Sequence, residues 1–96
     1  MATAEFFLTL HPEPRKQGTR IEKEKYDLIR NSILEVLRKN GSTAATHLGD
    51  LIESKLTKTF DGPVMWYYTT VKLDMEARRE IRRVPNTSPL EIELVK

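Results

Sequence analysis

The densest group of basic residues lies near the C-terminus, where Arg78-Arg79 and Arg82-Arg83 stand close together. Arginine carries a planar fork of hydrogen-bond donors that suits phosphate or guanine, so these side chains are candidates for nucleic-acid binding. The same side chains are equally well explained as a solvated rim paired with neighbouring carboxylates such as Glu76 and Glu93. Both interpretations stay open from the residues alone, because bases and acids alternate closely here.

Catalytic and metal-binding chemistry finds little support in the residue types and their spacing. The two histidines, His11 and His47, are far apart, and the acids that follow His47 do not form a compact set of metal ligands. The chain has no cysteine, which excludes disulfides, thiolate zinc sites and cysteine nucleophiles. The four glycines are isolated, so no glycine-rich phosphate loop is present. We therefore expect no enzyme activity, no cofactor and no metal.

Length and composition describe one small domain. A chain of 96 residues with 39% hydrophobic and 31% charged residues is long enough for one core. The net charge of +2, from 16 basic and 14 acidic residues, is too small to indicate nucleic acid by itself. No stretch approaches the ~20 apolar residues of a membrane span. The N-terminus lacks the basic region of a secretion signal, so we expect a cytoplasmic protein without a membrane partner.

The first 18 residues are predicted to form an N-terminal strand and loop, followed by the main domain over residues 19–96. Residues 5–10 are β-prone, and the prolines at 12 and 14 end the strand because they cannot continue a ladder. Alternation places three apolar side chains on one face of this strand: Phe6, Leu8 and Leu10.

Three helices are expected in the main domain. Thr19 and Glu22 have the spacing of a capping box and predict a first helix to about Lys39, where Asn40-Gly41 stops it. A short second helix follows a cap at Ser42 or Thr43. A third helix opens around residues 60–63 and runs to about Arg79. Residues 81–84 and 90–95 then alternate as two strands around a proline-rich turn, which predicts a C-terminal β-hairpin.

Three helices followed by a hairpin resemble a winged helix–turn–helix. The stretch from Thr70 to Val84 carries the most specific part of the resemblance, because apolar residues stand where many winged helices end the recognition helix and open the wing: Val71, Met75 and Ile81. Many members have glycine at the helix exit, where this chain has Arg79-Glu80. Over roughly residues 20–95 the chain also resembles a family of small uncharacterised bacterial proteins with winged-helix-like organisation.

The predicted fold is therefore α+β, a three-helix winged helix–turn–helix with a C-terminal hairpin wing and an additional N-terminal strand. The resemblance implies a DNA-binding protein, such as a transcriptional regulator, whose third helix enters the major groove of double-stranded DNA while the wing contacts phosphate. It implies these contact residues: Thr69, Thr70, Lys72, Arg79, Arg82, Arg83 and Asn86.

A helical wheel of residues 64–80 favours a different use of the third helix. One side carries the expected core residues, and the opposite side carries a second apolar stripe formed by Trp66, Leu73 and Ala77. Acidic residues that repel phosphate are expected beside or within this exposed arc: Asp74, Glu76 and Glu80. Such a surface is typical of burial against protein.

The residues alone do not decide what covers this apolar stripe. Candidates are the N-terminal segment of the same chain, which carries Phe6 and Leu8, the same surface of a second subunit, and stacked bases. The alternative function is therefore a non-catalytic interaction or homodimerisation module that has a winged-helix fold.

Overall fold

Three helices and two small antiparallel sheets make up the chain, of which this computed structural model describes residues 5–95. The arrangement confirms the predicted α+β class, with a C-terminal hairpin and an additional N-terminal strand. The elements, in chain order, are β1 (Phe6–Leu8), β2 (Arg20–Glu22), α1 (Lys23–Asn40), β3 (Thr43–Ala44), α2 (Ala45–Leu56), α3 (Val64–Ala77), β4 (Ile81–Arg83) and β5 (Glu91–Leu94).

The core lies between the three helices and is filled by apolar side chains at helical spacing. One apolar side of α1 and the expected core side of α3, opposite the stripe of Trp66, Leu73 and Ala77, supply most of the buried side chains, and one isoleucine from each strand of the C-terminal hairpin closes the core. Its members include Ile29, Ile33, Leu48, Ile52, Val71, Met75, Ile81 and Ile92. Burying one such side chain fully contributes about 1.5–3 kcal/mol, so these contacts dominate the stability of the domain.

The C-terminal sheet has three strands in the order β3-β5-β4. In this sheet β5 pairs with β4 through Ile81 and Leu94, and on its other side with β3 through Thr43 and Ile92. The sequence predicted a helix cap at Ser42 or Thr43, but Thr43 lies in β3 and its hydroxyl donates to the carbonyl of Gly41 at 2.9 Å. Helix α2 consequently begins only at Ala45.

The N-terminal sheet pairs β1 with β2. Because of this pairing, the prediction that Thr19 and Glu22 form a capping box for α1 is wrong. The backbone N–H and the hydroxyl of Thr9 both donate to the carbonyl of Thr19 at 2.9 Å, and the N–H of Thr19 donates to the Thr9 hydroxyl at 2.8 Å. Thr19 is therefore engaged by a strand and cannot cap α1. Helix α1 begins at Lys23, and Glu22 precedes it without a side-chain capping bond.

Helix α3 ends in a Schellman motif whose left-handed position is held by an arginine. Arg79 has a φ of 63°, its N–H donates to Glu76, and the N–H of Glu80 reaches back to Met75 at 2.9 Å. The winged-helix resemblance led to the expectation of glycine at this helix exit. A residue with a Cβ pays an energetic cost there that glycine avoids.

Replacing Arg79 by glycine is expected to raise the free energy of unfolding by about 1 kcal/mol, because the strain of the left-handed backbone disappears. The matched control is Arg79→Ala, which also removes the guanidinium but keeps the Cβ. Urea unfolding of both variants measures the difference between them. Equal stability of the two variants would show that the backbone strain at residue 79 does not exceed the extra conformational entropy that glycine loses on folding.

Candidate functional site

The N-terminal segment, defined here as residues 5–19, crosses α3 and is held there by a buried carboxylate. Asp74 is 0% exposed and accepts hydrogen bonds from the backbone N–H of Leu10 at 2.8 Å, from the Nε of Arg78 at 2.9 Å and from the hydroxyl of Tyr26. A buried carboxylate needs such donors, because leaving it unpaired is costly. The expectation that Asp74 faces solvent is therefore wrong.

Aromatic contacts hold the same segment from its inner side. The ring of Phe7 stacks on Tyr26 with centroids 4.1 Å apart, and the guanidinium of Arg78 lies 4.8 Å from the Phe7 centroid. Burial raises the pKa of the Tyr26 phenol, and its hydrogen bond to Asp74 raises this pKa further, so the phenol stays protonated and donates. Phe7, and not its neighbours, is thus the inward residue of β1.

The predicted apolar stripe of α3 is covered only in part. Leu73 is half-buried and lines a small recess with the N-terminal segment, and Ala77 is half-buried as well. Trp66 is 47% exposed and packs its ring edge-on against Tyr67 at a centroid distance of 5.0 Å. The chain therefore covers the middle of the stripe itself and leaves the first turn of α3, including Met65, open.

Phe6 and Leu8 do not cover the stripe. They lie on the outer face of β1, where 57% of Phe6 and 62% of Leu8 are exposed. The recess beside Leu73 is instead lined by residues that follow β1, including Leu10 and His11.

Several residues expected to contact DNA are paired with carboxylates. The Nζ of Lys72 lies 2.9 Å from Glu76, whose other oxygen accepts from the Nε of Arg83 at 2.7 Å. Arg82 donates from its Nε to Glu93 at 2.5 Å. The side chains of Lys72 and Glu76 are almost fully buried, so the expectation that Glu76 faces solvent is wrong.

The remaining DNA candidates occupy varied environments. Thr69 is exposed on α3, whereas Thr70 is half-buried beside the N-terminal segment. Asn86 is exposed at the hairpin tip with a φ of 62°, a conformation that asparagine tolerates well.

Three arginines meet at one open cleft of about 530 Å³ beside the exit of α3. The cleft separates the loop after β1 from the first strand of the hairpin, and two glutamates share it with the arginines. Its lining residues are Pro12, Glu13, Glu76, Arg79, Ile81, Arg82, Arg83 and Val95. Among the described residues no carboxylate lies within ion-pair distance of Arg79.

The two histidines lie apart from this cleft. His11 accepts a hydrogen bond at Nδ1 from the N–H of Glu13 at 3.0 Å, and His47 is exposed on α2. Within residues 5–95 no group of three His, Asp or Glu side chains is arranged to hold a metal ion. None of the helices in that range combines the length and apolar character that crossing a membrane requires.

One family match covers most of the N-terminal segment and most of the C-terminal hairpin. A family model described as a family of unknown function (DUF6958) matches residues 7–92. The chain belongs to this family. The part matched to DUF6958 runs from Phe7 to Ile92 and so includes the contacts of Phe7, Leu10 and Asp74. No curated protein and no solved structure matches the chain.

Proposed function

We propose that the chain is a non-catalytic homodimerisation module built on a winged-helix arrangement. The order of its main elements, three helices followed by a two-stranded hairpin, supports the winged-helix part of the proposal. The absence of cysteine from the sequence fits a reducing cytoplasm, which is the location we propose.

The observation that carries the proposal is the position of the N-terminal segment. It lies beside Thr70, Leu73 and Asp74, on a side of α3 that the winged-helix resemblance assigns to DNA contact, and it turns apolar side chains outward. In the described part of the chain, most large exposed hydrophobic side chains belong to this segment or to the first turn of α3: Phe6, Leu8, Leu10, Met65 and Trp66. Clustered exposed apolar residues are typical of surfaces that bind protein.

A second candidate function, DNA binding with a role in transcription regulation, is favoured by the arginine cleft. The side chains of Arg82 and Arg83 are more than half exposed despite their ion pairs. The Arg82–Glu93 pair is a surface pair of the kind that contributes only about 0–1 kcal/mol, so phosphate can compete for the Arg82 guanidinium. Arg83 keeps its exposed side toward solvent while it pairs with the nearly buried Glu76. In this function the wing and the exit of α3, rather than the middle of α3, contact the duplex.

Two measurements on the purified chain test the proposal. Sedimentation velocity over increasing protein concentration is expected to show a dimer, and fluorescence anisotropy with a labelled duplex at low salt is expected to show no binding. A chain that stays monomeric at every concentration contradicts the proposal.

Binding that weakens steeply with salt would favour the DNA-binding candidate instead. That affinity should then fall in the Arg82→Ala, Arg83→Ala double variant. It should change less in the control Arg38→Ala, Lys39→Ala, because this exposed basic pair lies at the end of α1, outside the cleft.

A further inference from the structure

We infer that the second copy of the chain docks on the free edge of β1, antiparallel to it, with the twofold axis passing beside Phe7. This inference rests on the proposed homodimerisation and names the surface and register that would produce it.

One edge of β1 pairs with β2, and the other edge has no paired strand among the described residues. Past the end of β1, the N–H of Leu10 donates to Asp74 on this second side. Thr9 donates to Thr19 and Lys23 donates to Glu5, each at 2.9 Å, so the odd-numbered residues of the strand bond toward β2. In an antiparallel ladder the alternate residues direct their N–H and C=O groups to the opposite side. Phe6 and Leu8 therefore present two donors and two acceptors to the other edge, where no strand of the described residues pairs.

The side chains beside this edge are apolar and lack the usual protection. Natural edge strands discourage pairing with lysine, proline or a bulge, and residues 5–10 contain no lysine or proline. Phe6 and Leu8 project on the outer face, because Phe7 between them packs inward on Tyr26. Both the backbone and the side chains of this strand are thus suited to a further strand.

The edge is complementary to itself. With Phe7 facing Phe7 of the second copy, Phe6 faces Leu8 of that copy, and Leu8 faces its Phe6. Each of these two pairs can exchange two backbone hydrogen bonds, and their four apolar side chains share one face of a continuous four-stranded sheet. Glu5 then faces Thr9 of the second copy, so no like charges oppose each other. A second copy therefore fits both the hydrogen-bond pattern and the apolar pattern of this edge.

The first test places a charge in the proposed interface. In sedimentation velocity, Leu8→Lys is expected to weaken the dimer about tenfold, because it places an ammonium in both apolar cross-strand pairs. Leu28→Lys is the matched control, since Leu28 is also an exposed leucine but lies on α1. Its dimer should be unchanged, and circular dichroism should show both variants folded.

The second test uses the register itself. At a chain concentration a few times the wild-type Kd, Phe6→Glu and Leu8→Lys, each weakened about tenfold, are expected to be mostly monomeric alone, whereas an equimolar mixture should regain the dimer. In the mixed dimer one pair joins the new carboxylate to the new ammonium, and the other keeps Leu8 against Phe6. Only the proposed register produces this pairing, so a mixture that stays monomeric overturns it.

The outcomes separate this inference from the proposed function. A monomeric wild-type chain contradicts both. A wild-type dimer that survives Leu8→Lys overturns the β1 interface and leaves homodimerisation standing. Loss of that dimer in Trp66→Ala would then assign the interface to the exposed turn of α3.

Discussion

Replacing Asp74 by alanine is expected to lower the free energy of unfolding by about 3 kcal/mol. The substitution removes the only described acceptor of the Leu10 N–H and of the Tyr26 hydroxyl, and it separates Arg78 from its ion-pair partner. Because the site is closed to water, these groups cannot all recover their hydrogen bonds from solvent. Asp74→Asn should cost less, since an amide oxygen still accepts from Leu10 but the negative charge beside Arg78 is lost.

Urea unfolding of the three proteins measures this effect. Asp50→Ala is the matched control, because Asp50 is an exposed aspartate on α2. Surface substitutions of that kind usually change stability by less than about 0.5 kcal/mol. If Asp74→Ala were as stable as this control, Asp74 would have no part in holding the N-terminal segment.

Gly18→Ala is expected to have the next largest effect, a loss of about 2–3 kcal/mol together with release of the N-terminal segment from α3. A Cβ built on Gly18 lies 1.5 Å from the carbonyl oxygen of Thr9. That oxygen belongs to the backbone and cannot rotate away as a side chain would. The Thr9–Thr19 hydrogen bonds that join the two sides of the loop must therefore open.

Release of the segment can be observed separately from global stability. Amide exchange of Leu10 should accelerate more than exchange in the middle of α1, and limited proteolysis should cut the loop over residues 11–17 sooner. Gln17→Ala, an exposed neighbour, is the control and should leave both readouts unchanged. Unchanged exchange of Leu10 in Gly18→Ala would show that the loop relaxes without leaving α3.

The parts of the fold that were predictable from sequence depend on local patterns. The helical wheel of α3 indicated its buried core side, and the alternation around the proline-rich turn indicated both strands of the C-terminal hairpin. These signals repeat every two to four residues within one element. They can therefore be read without knowing what the element packs against.

The parts that were missed depend on partners distant in sequence. Strand β3 exists because Thr43 pairs with Ile92. The capping-box prediction at Thr19 failed because the backbone of Thr19 forms hydrogen bonds with Thr9 and does not begin a helix. Asp74 has an ordinary place on a helical wheel, and its burial follows from a hydrogen-bond partner 64 residues away at Leu10. No local spacing reports such a contact.

The candidate site shows the same division. Both apolar faces of α3 were visible in the sequence. The sequence did not indicate how far the second face is covered, and in the structure Leu73 is half-buried while Trp66 is exposed. Of the four arginines that stand close together in the sequence, Arg79, Arg82 and Arg83 line one cleft, whereas Arg78 pairs with Asp74. The pairing of Arg83 with the nearly buried Glu76 depends on how the hairpin folds back on α3.

The long separation between Leu10 and Asp74 has a consequence for biosynthesis. The ribosome completes β1 early, but the carboxylate that anchors the segment is added 64 residues later. At ~5–20 residues per second this leaves an interval of several seconds. During that time nascent chains on one messenger carry Phe7 without its final cover, beside the outward Phe6 and Leu8, so the strand is available to neighbouring chains before the domain has closed.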